Sequence, residues 1–329
     1  MQRSKIMEPK PLSRGRYAPT PSGRLHLGNL LTCLLTWLDA RSTGSDLLFR
    51  LEDLDAARCS ETYAVETAED LRWMGLDWDS GWFPEAPGNY AQSTRSSVYA
   101  EAFQVLQQKG LLYPCYCSRV ERLAASAPHP GQPKDAHCRC RTLTALERRE
   151  KEAAGRRPAW KVCVPDTEIS FTDLHYGPQT YRLAELGDFI VRRSDGVFSY
   201  QLAVAVDDAL MGVTRVVRAR DLMPSAARQI CLLRLLDLPE PAYAHGPLLV
   251  SAPAEKLSKR EGALNMLYFR RQYSPRELCG LLAYLCGLRA SIQPLTPAEL
   301  LPDFAWERVS RKDILLPSRL AFPPESSRH

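Results

Sequence analysis

No apolar run in this 329-residue chain approaches the roughly 18 residues needed to span a bilayer. The opening stretch MQRSKIMEPKPLSRG is polar and basic, so it offers no hydrophobic core for a secretory signal. No membrane partner is expected, and a reducing cytoplasm is the expected compartment. Strong charge of one sign is lacking as well. Lys+Arg number 43 against 38 Asp+Glu, and the net charge of +5 permits a polyanionic partner without demanding one. Internal repeats and long low-complexity tracts are absent. A secreted disulfide framework is missing too. Cys33, Cys59, Cys163, Cys231, Cys279 and Cys286 are scattered through apolar or mixed runs. In a reducing compartment such thiols fill cores or bind metal rather than pair.

Hydrophobic residues make up 45% and charged residues 25%, ordinary values for a globular enzyme with enough chain for one large domain or two to three smaller ones. The other four cysteines are clustered. Cys115, Cys117, Cys138 and Cys140 form two Cys-x-Cys pairs separated by residues 118–137. Close pairs about 15–20 residues apart have the spacing of a tetrahedral zinc site. In an extended strand, residues two apart share a face, yet their sulfurs lie too far apart to share one ion. The backbone is therefore expected to turn at Tyr116 and Arg139. Four reduced thiols in a loop is the plainer alternative.

The pattern of elements begins strand, helix, strand, helix. A short strand from Gly15 leads into APTPSGRLHLGN and the apolar helix LLTCLLTWLDARSTG. The run DLLFRLEDLD reads as a buried strand with an acidic end, and Val65, Ala68, Leu71 and Met74 form a helical stripe closed by Gly75. Residues 98–112 read as an amphipathic helix, a charged helix lies around 144–154, and AWKVCVP resumes strand. A hairpin turn is expected at Ser194-Asp195-Gly196. Ser274-Pro275-Arg276-Glu277 is a capping box that opens the helix ELCGLLAYLCGL. This alternation is the start of a doubly wound α/β sheet.

Two segments carry chemistry. In APTPSGRLHLGN, Pro19, Pro21 and Gly23 shape a turn, and Gly28 lets a ligand approach the backbone at a helix N-terminus. Free amides and the helix dipole there attract anions, and His26 can donate to a phosphate. In EKLSKREG, Lys256 and Lys259 flank Ser258 on a loop that can close over a triphosphate. Each alone is also an ordinary Pro/Gly turn or solvated loop. Together they form a two-part signal.

With both in view, the chain resembles a class I aminoacyl-tRNA synthetase of the glutamyl branch. His26-Leu27-Gly28-Asn29 stands for the HIGH tetrapeptide and Lys256-Leu257-Ser258-Lys259-Arg260 for KMSKS. RYAPTPSGRLHLGN, FRLEDLD, WMGLDWD and DDALMGVTRVVRARDL match glutamyl landmarks in order, over roughly residues 14 to 290. Within that branch it resembles the short paralogues that glutamylate queuosine in tRNA(Asp), through Cys115-x-Cys117, DAHCR and GVFSYQLAVAVDD. The departures are Asn29 for the second histidine, Arg260 for the final serine, and Lys134 where those paralogues place a tyrosine zinc ligand.

The resemblance implies an α/β fold: a Rossmann-type doubly wound parallel sheet with a zinc-binding insertion and a small helical C-terminal subdomain. The implied plan is a disordered leader (1–13), then the first half of the nucleotide-binding catalytic domain (14–112) and the zinc insertion with its connective region (113–175). The second half with the lysine loop (176–262), a helical subdomain (263–315) and a tail (316–329) follow. The implied reaction is activation of L-glutamate with ATP and transfer of the glutamyl group to queuosine of tRNA(Asp). A shortened glutamyl-tRNA synthetase charging a tRNA 3′ end, a non-catalytic RNA-binding paralogue and a small nucleotidyltransferase are the alternatives.

His26 and Lys259 are implied as catalytic. Arg16, Tyr17, Ala18, Pro19, Thr20, Glu52, Tyr200 and Arg218 would bind glutamate, Glu52 receiving its ammonium. An ion pair of Arg218 with Asp221 and a core role for Tyr200 are the structural alternatives. His26, Gly28, Asn29, Lys256, Ser258 and Lys259 would face ATP with its Mg²⁺. Cys115, Cys117, Cys138 and Cys140 would hold a structural Zn²⁺, with His137 as the alternative fourth ligand. Arg119, Arg122, Arg139 and Arg141 would contact RNA phosphates or form a solvated face. A monomer is expected.

Overall fold

The structure, a computed structural model, describes residues 13–117, 138–250 and 265–316. Its centre is built from two strand ladders placed side by side. In the first, β1 (Arg14–Tyr17), β2 (Asp46–Phe49) and β3 (Ser80–Gly81) run parallel in the order β1-β2-β3. The second contains β6 (Glu168–Asp173), β7 (Gly177–Arg182), β9 (Arg215–Ala219) and β10 (Ala242–Gly246) in the order β7-β6-β10-β9. β9, β10 and β6 are parallel and only β7 is antiparallel. β9 lies beside β1, where Thr214 N–H donates to the Arg14 carbonyl at 2.9 Å. Strand order thus runs outward from β1 in one half and outward from β9 in the other, as in a doubly wound sheet.

Strand alternation divides the apolar residues between two cores. Leu47 and Phe49 of β2, Val217 of β9 and Ala244 of β10 face one core. Leu48, Val216 and Tyr243 face the other. The first is filled by helices α1 (Leu27–Ser42) and α2 (Glu61–Trp73), the second by α3 (Ser96–Gln108) and two later helices. α1 buries Leu30, Leu31, Leu34, Leu35, Trp37 and Leu38, covering most of its circumference, because elements pack on both its sides.

A separate antiparallel sheet, β4 (Leu112–Cys115), β5 (Ala159–Val162) and β8 (Ile190–Arg192), carries the cysteine-rich region, with the charged helix α4 (Ala145–Ala153) after it. Thr144 and Glu147 form the capping box that starts α4. Helices α5 (Tyr200–Leu210) and α6 (Met223–Leu235) pack against each other on the second core. C-terminally, α7 (Met266–Gln272) and α8 (Pro275–Leu285) contribute to the first core, and β11 (Leu249–Val250) pairs in parallel with β12 (Ile314–Leu315).

One carboxylate staples these parts. Asp39 of α1 accepts from Arg215 of β9 at 2.6 and 2.8 Å and from Trp306 Nε1 at 2.8 Å. The C-terminal segment is thereby fixed to the sheet through α1. The strand expected over DLLFRLEDLD stops at Phe49. Beyond it, Arg50 and Glu52 enter a buried charge network, and only a single bridge, Leu51 to Ala91, continues the pairing. Among the described residues no helix is long and apolar enough to cross a membrane.

Helix propensity and packing make opposite forecasts at Gly280 in α8. Alanine is the better helix former by about 1 kcal/mol, but a Cβ there would meet the Gln293 carbonyl oxygen at 1.9 Å. Overpacking of this kind costs about 1–3 kcal/mol. Gly280→Ala should therefore lower the unfolding midpoint in thermal or urea denaturation. A raised midpoint would show that the 293 segment is not held against α8.

Candidate active site and cysteine cluster

The expected pocket residues come from the C-terminal ends of the parallel strands, where open α/β sheets bind ligands. Arg16 lies in β1, Arg50 and Glu52 follow β2, Arg218 lies in β9 and His245 in β10. Tyr200 opens α5, and Asp207 and Asp208 sit two turns further on.

The charges form a buried chain. Asp208 accepts from Arg50 Nη1 at 2.7 Å and from Arg16 Nε at 3.3 Å, while Arg16 Nη1 donates across the seam to the Val217 carbonyl at 3.0 Å. Arg50 is fully buried and also donates through Nη2 to Glu52 Oε1 at 3.1 Å. Asp207 binds Arg95 at 2.8 Å, Tyr99 Oη at 2.7 Å and Gln92 at 3.0 Å. Burial works to raise the Asp208 carboxyl, but Arg50 and then Arg16 outweigh it and hold it below the usual carboxylate range. At Glu52 the balance reverses. Burial raises its carboxyl more than Arg50 and Arg16 lower it, leaving an acid that gains from a further cation.

Tyr200 belongs to the same electrostatic environment. Burial lifts its phenol, the Glu52 charge lifts it further, and Arg218 and Arg16 oppose both. Arg218 is held by His245, with Nε donating to Nε2 at 3.0 Å, and by Gln229 Oε1 at 2.7 Å, not by Asp221. The loop after β1 is tied in through Glu52 N–H, which donates to the Pro19 carbonyl at 2.9 Å. Ala18 and Pro19 are partly buried and Thr20 is exposed. Tyr17 departs from the expected set. Alternation along β1 turns its side chain away from Arg16, into the α1 core, where it lies edge-on to Phe49 at 6.2 Å.

The HLGN segment caps α1. His26 Nδ1 accepts from Asn29 N–H at 3.3 Å and Asn29 Oδ1 accepts from His26 N–H at 3.4 Å. In the neutral ring this puts the proton on Nε2, as a donor needs. A side chain at position 28 would come within 3.2 Å of the His26 ring, so Gly28 serves the folded-back imidazole itself. Asn265 forms a bridge with His26, and Met266 N–H donates to the Leu25 carbonyl at 2.9 Å. Lys256, Ser258 and Lys259 lie outside the described residues, and Asn265 is where the described chain resumes, beside His26.

At the end of β4, the sulfurs of Cys115, Cys117, Cys138 and Cys140 lie within 4.8 Å of one another. The closest separations are 3.4 to 3.6 Å, far from a disulfide bond. Four sulfurs about 2.3 Å from a central ion at tetrahedral angles would stand about 3.8 Å apart, so the donor set fits a metal ion. Burial pushes the Cys115 thiol up to about 11 and raises Cys117 as well, whereas at Cys138 burial is outweighed by hydrogen bonds from the Cys140 backbone and the neighbouring thiols, which lower it. A divalent cation would favour the thiolate at Cys115 and Cys117. The expected turns are present: β4 ends before Tyr116, and Arg139 starts a 3₁₀ turn to Thr142. His137, Arg119 and Arg122 lie outside the described residues. Arg139 is exposed, whereas Arg141 is drawn inward to within 3.6 Å of Asp188.

Sequence reasoning passed over Arg50, Asp207, Asp208, Gln229, His245 and Asp173. The adjacent acids in the otherwise apolar YQLAVAVDDAL were the available signal, since buried carboxylates need cationic partners. His245 gave none beyond a polar residue in YAHGPLLV.

Comparison with known proteins agrees with this geometry. The family model for the catalytic domain of class I tRNA synthetases (E and Q) matches residues 13–303. The Glutamyl-Q tRNA(Asp) synthetase of Symbiobacterium thermophilum is 48% identical over 313 residues, covering 92% of this chain and 96% of that protein. The protein of the same name from Nitratidesulfovibrio vulgaris is 46% identical over 293 residues, covering 87% of this chain and 90% of that protein. A glutamate tRNA ligase from Elizabethkingia meningosepticum, solved in complex with its amino acid, shares the fold, with a TM-score of 0.77 at 24% identity. It covers 92% of this chain, which in turn spans 66% of its length. Strand order, pocket position and these matches lead to one conclusion: the chain belongs to the class I tRNA synthetase family of the glutamyl and glutaminyl branch.

Proposed function

We propose that this chain activates L-glutamate with ATP and transfers the glutamyl group to the cyclopentenediol of queuosine in tRNA(Asp). The observation that carries the reading is the cluster of Arg16, Glu52, Tyr200 and Arg218 at the strand ends, three of them buried and Tyr200 partly so. It offers guanidinium donors to a carboxylate and an acid, held above its ordinary range, to an ammonium. The Glutamyl-Q tRNA(Asp) synthetases cited above support the choice of acceptor.

In the first step a glutamate α-carboxylate oxygen attacks the α-phosphorus and the bond to pyrophosphate breaks. In the second, a diol hydroxyl attacks the acyl carbon, AMP leaves with the bridging oxygen, and the hydroxyl proton is released. The protein's part is to hold the partners in line and to neutralise charge. Glu52 anchors the ammonium, Arg218 and Tyr200 fix the carboxylate end, and Arg16 keeps the pocket positive. His26, with its proton on Nε2, and the first amides of α1 meet the phosphates. Mg²⁺ bound to ATP would supply further charge neutralisation. Lys259 is assigned to the departing phosphates through its motif, and the anchor of Asn265 at His26 favours that assignment.

The four-cysteine shell would hold a structural Zn²⁺, since four thiolates leave no open coordination position. Its place on the β4-β5-β8 sheet makes it a brace for the inserted region.

Aminoacylation of tRNA(Asp) should incorporate labelled glutamate only when the tRNA carries queuosine. Labelling of tRNA(Glu) in its place would mean a 3′-end synthetase. Lys259→Ala should reduce glutamate-dependent ATP–pyrophosphate exchange by about 100-fold or more at an unchanged melting temperature. Near-normal exchange would remove Lys259 from the mechanism. Purified protein should contain about one zinc per chain, lost in Cys140→Ser with a lower melting temperature. Retention of metal in Cys140→Ser would hand the fourth position to another residue.

A further inference from the structure

The guanidinium of Arg218 is bound on two sides and open on the third. Nε donates to His245 Nε2 at 3.0 Å, Nη1 donates to Gln229 Oε1 at 2.7 Å, and Nη2 is buried with no hydrogen-bond partner among the described residues. The ring of Tyr243 lies 5.2 Å from the guanidinium carbon. A buried, unbonded donor on a charged group is unfavourable unless an acceptor arrives. In a pocket whose other members are Tyr200, Glu52 and Arg16, that acceptor is a substrate carboxylate.

What holds Arg218 in this attitude is a single imidazole tautomer. Arginine can only donate, so His245 Nε2 must be the unprotonated nitrogen. The ring proton then sits on Nδ1, 2.6 Å from Asp173 Oδ2. Asp173 is fixed in turn through Oδ1, which accepts backbone N–H groups from His175 at 3.0 Å, Tyr176 at 2.8 Å and His245 at 3.4 Å. All three side chains are nearly or fully buried. We propose that Asp173 and His245 are positioning residues for glutamate recognition, setting the tautomer that aims Arg218 Nη2 at the substrate carboxylate. The assignment rests on the functional reading above and extends it to residues that do not touch the substrate. Burial, and then the nearby guanidinium, hold the His245 pKa below its ordinary value against the pull of Asp173, which keeps the ring neutral.

The relay makes an unusual demand on an isosteric change. In Asp173→Asn, the three backbone donors require oxygen at the Oδ1 position, so the new NH₂ must face His245 Nδ1. That forces the ring proton to Nε2, where it opposes Arg218 Nε–H. A merely structural carboxylate would tolerate the swap or lose stability alone.

The test is glutamate-dependent ATP–pyrophosphate exchange, with glutamate binding to the full chain measured in parallel by calorimetry. Asp173→Asn should raise the KM and Kd for glutamate about ten- to a hundredfold while the KM for ATP changes less than twofold. His245→Gln, whose Oε1 can accept from Arg218, should raise the glutamate KM less than His245→Leu, which should match Asp173→Asn. An unchanged glutamate KM in Asp173→Asn and His245→Leu, with wild type active, would overturn the relay and leave the pocket assignment intact. Parallel losses for ATP and glutamate would reduce both residues to structural supports. A wild-type protein that neither binds nor activates glutamate would overturn the functional reading and the relay with it.

Discussion

The site depends on where two adjacent carboxylates are placed. Asp207 and Asp208 end an apolar helix inside the protein, and neither can be left there alone. Desolvating an unpaired carboxylate is prohibitive, so the surrounding sequence must bring guanidinium groups to them. It does so from three places: Arg16 from β1, Arg50 from the end of β2, and Arg95 from the turn before α3. Removing one member of such a network leaves an uncompensated buried charge at a cost of about 3–5 kcal/mol. Satisfying two carboxylates therefore fixes the mutual position of both halves of the sheet.

That constraint explains how a pocket of mixed charge can be both buried and ready. Arg50 is engaged by Asp208 and Glu52, and its Nε faces Asp207 at 3.9 Å, so its charge is matched by three acids. Arg16 divides itself between Asp208 and the Val217 carbonyl. Glu52 receives one hydrogen bond from Arg50 and keeps a raised pKa, so a further cation beside it would favour its charged form. Arg218 stands apart, bound to neutral partners instead of a carboxylate, and keeps its charge available. The division between structural and receptive cations follows from which acids are already neutralised.

Much of this was legible in the sequence where function is local. HLGN reads as a helix start because its own residues cap the helix, and the paired cysteines read as a metal shell because each pair lies within one turn of chain. The alternation of strands and helices exposed the doubly wound plan. Contacts between distant segments were not legible. Nothing in DLLFRLEDLD indicates that the strand ends at Phe49, since that end is set by Asp208, far along the chain. The side chain of Tyr17 lies apart from that of Arg16, since a strand sends alternate side chains to opposite faces, whereas a motif match carries a run of residues together. His245 was invisible because a single histidine in an apolar strand has no local signature, and its meaning comes from Asp173 on one side and Arg218 on the other.

The cysteine cluster follows a different logic from the charge network, and the difference bears on how the parts cooperate. Its four sulfurs and the rings of Tyr113 and Tyr116 form a small core of their own. Asp188 links that core to the body, accepting from Tyr113 Oη and Val164 N–H at 2.9 Å each, with Arg141 at 3.6 Å. A metal bound there would stiffen the β4-β5-β8 sheet, and β8 leads through the 194–196 turn directly into Ser199 and Tyr200. The route from the cysteine shell to the charge network thus crosses the β4-β5 and β5-β8 pairings and then follows the chain from β8 into α5. Loss of metal would reach the site through the placement of α5, and with it Tyr200, Asp207 and Asp208, rather than through any change in the pocket's own chemistry.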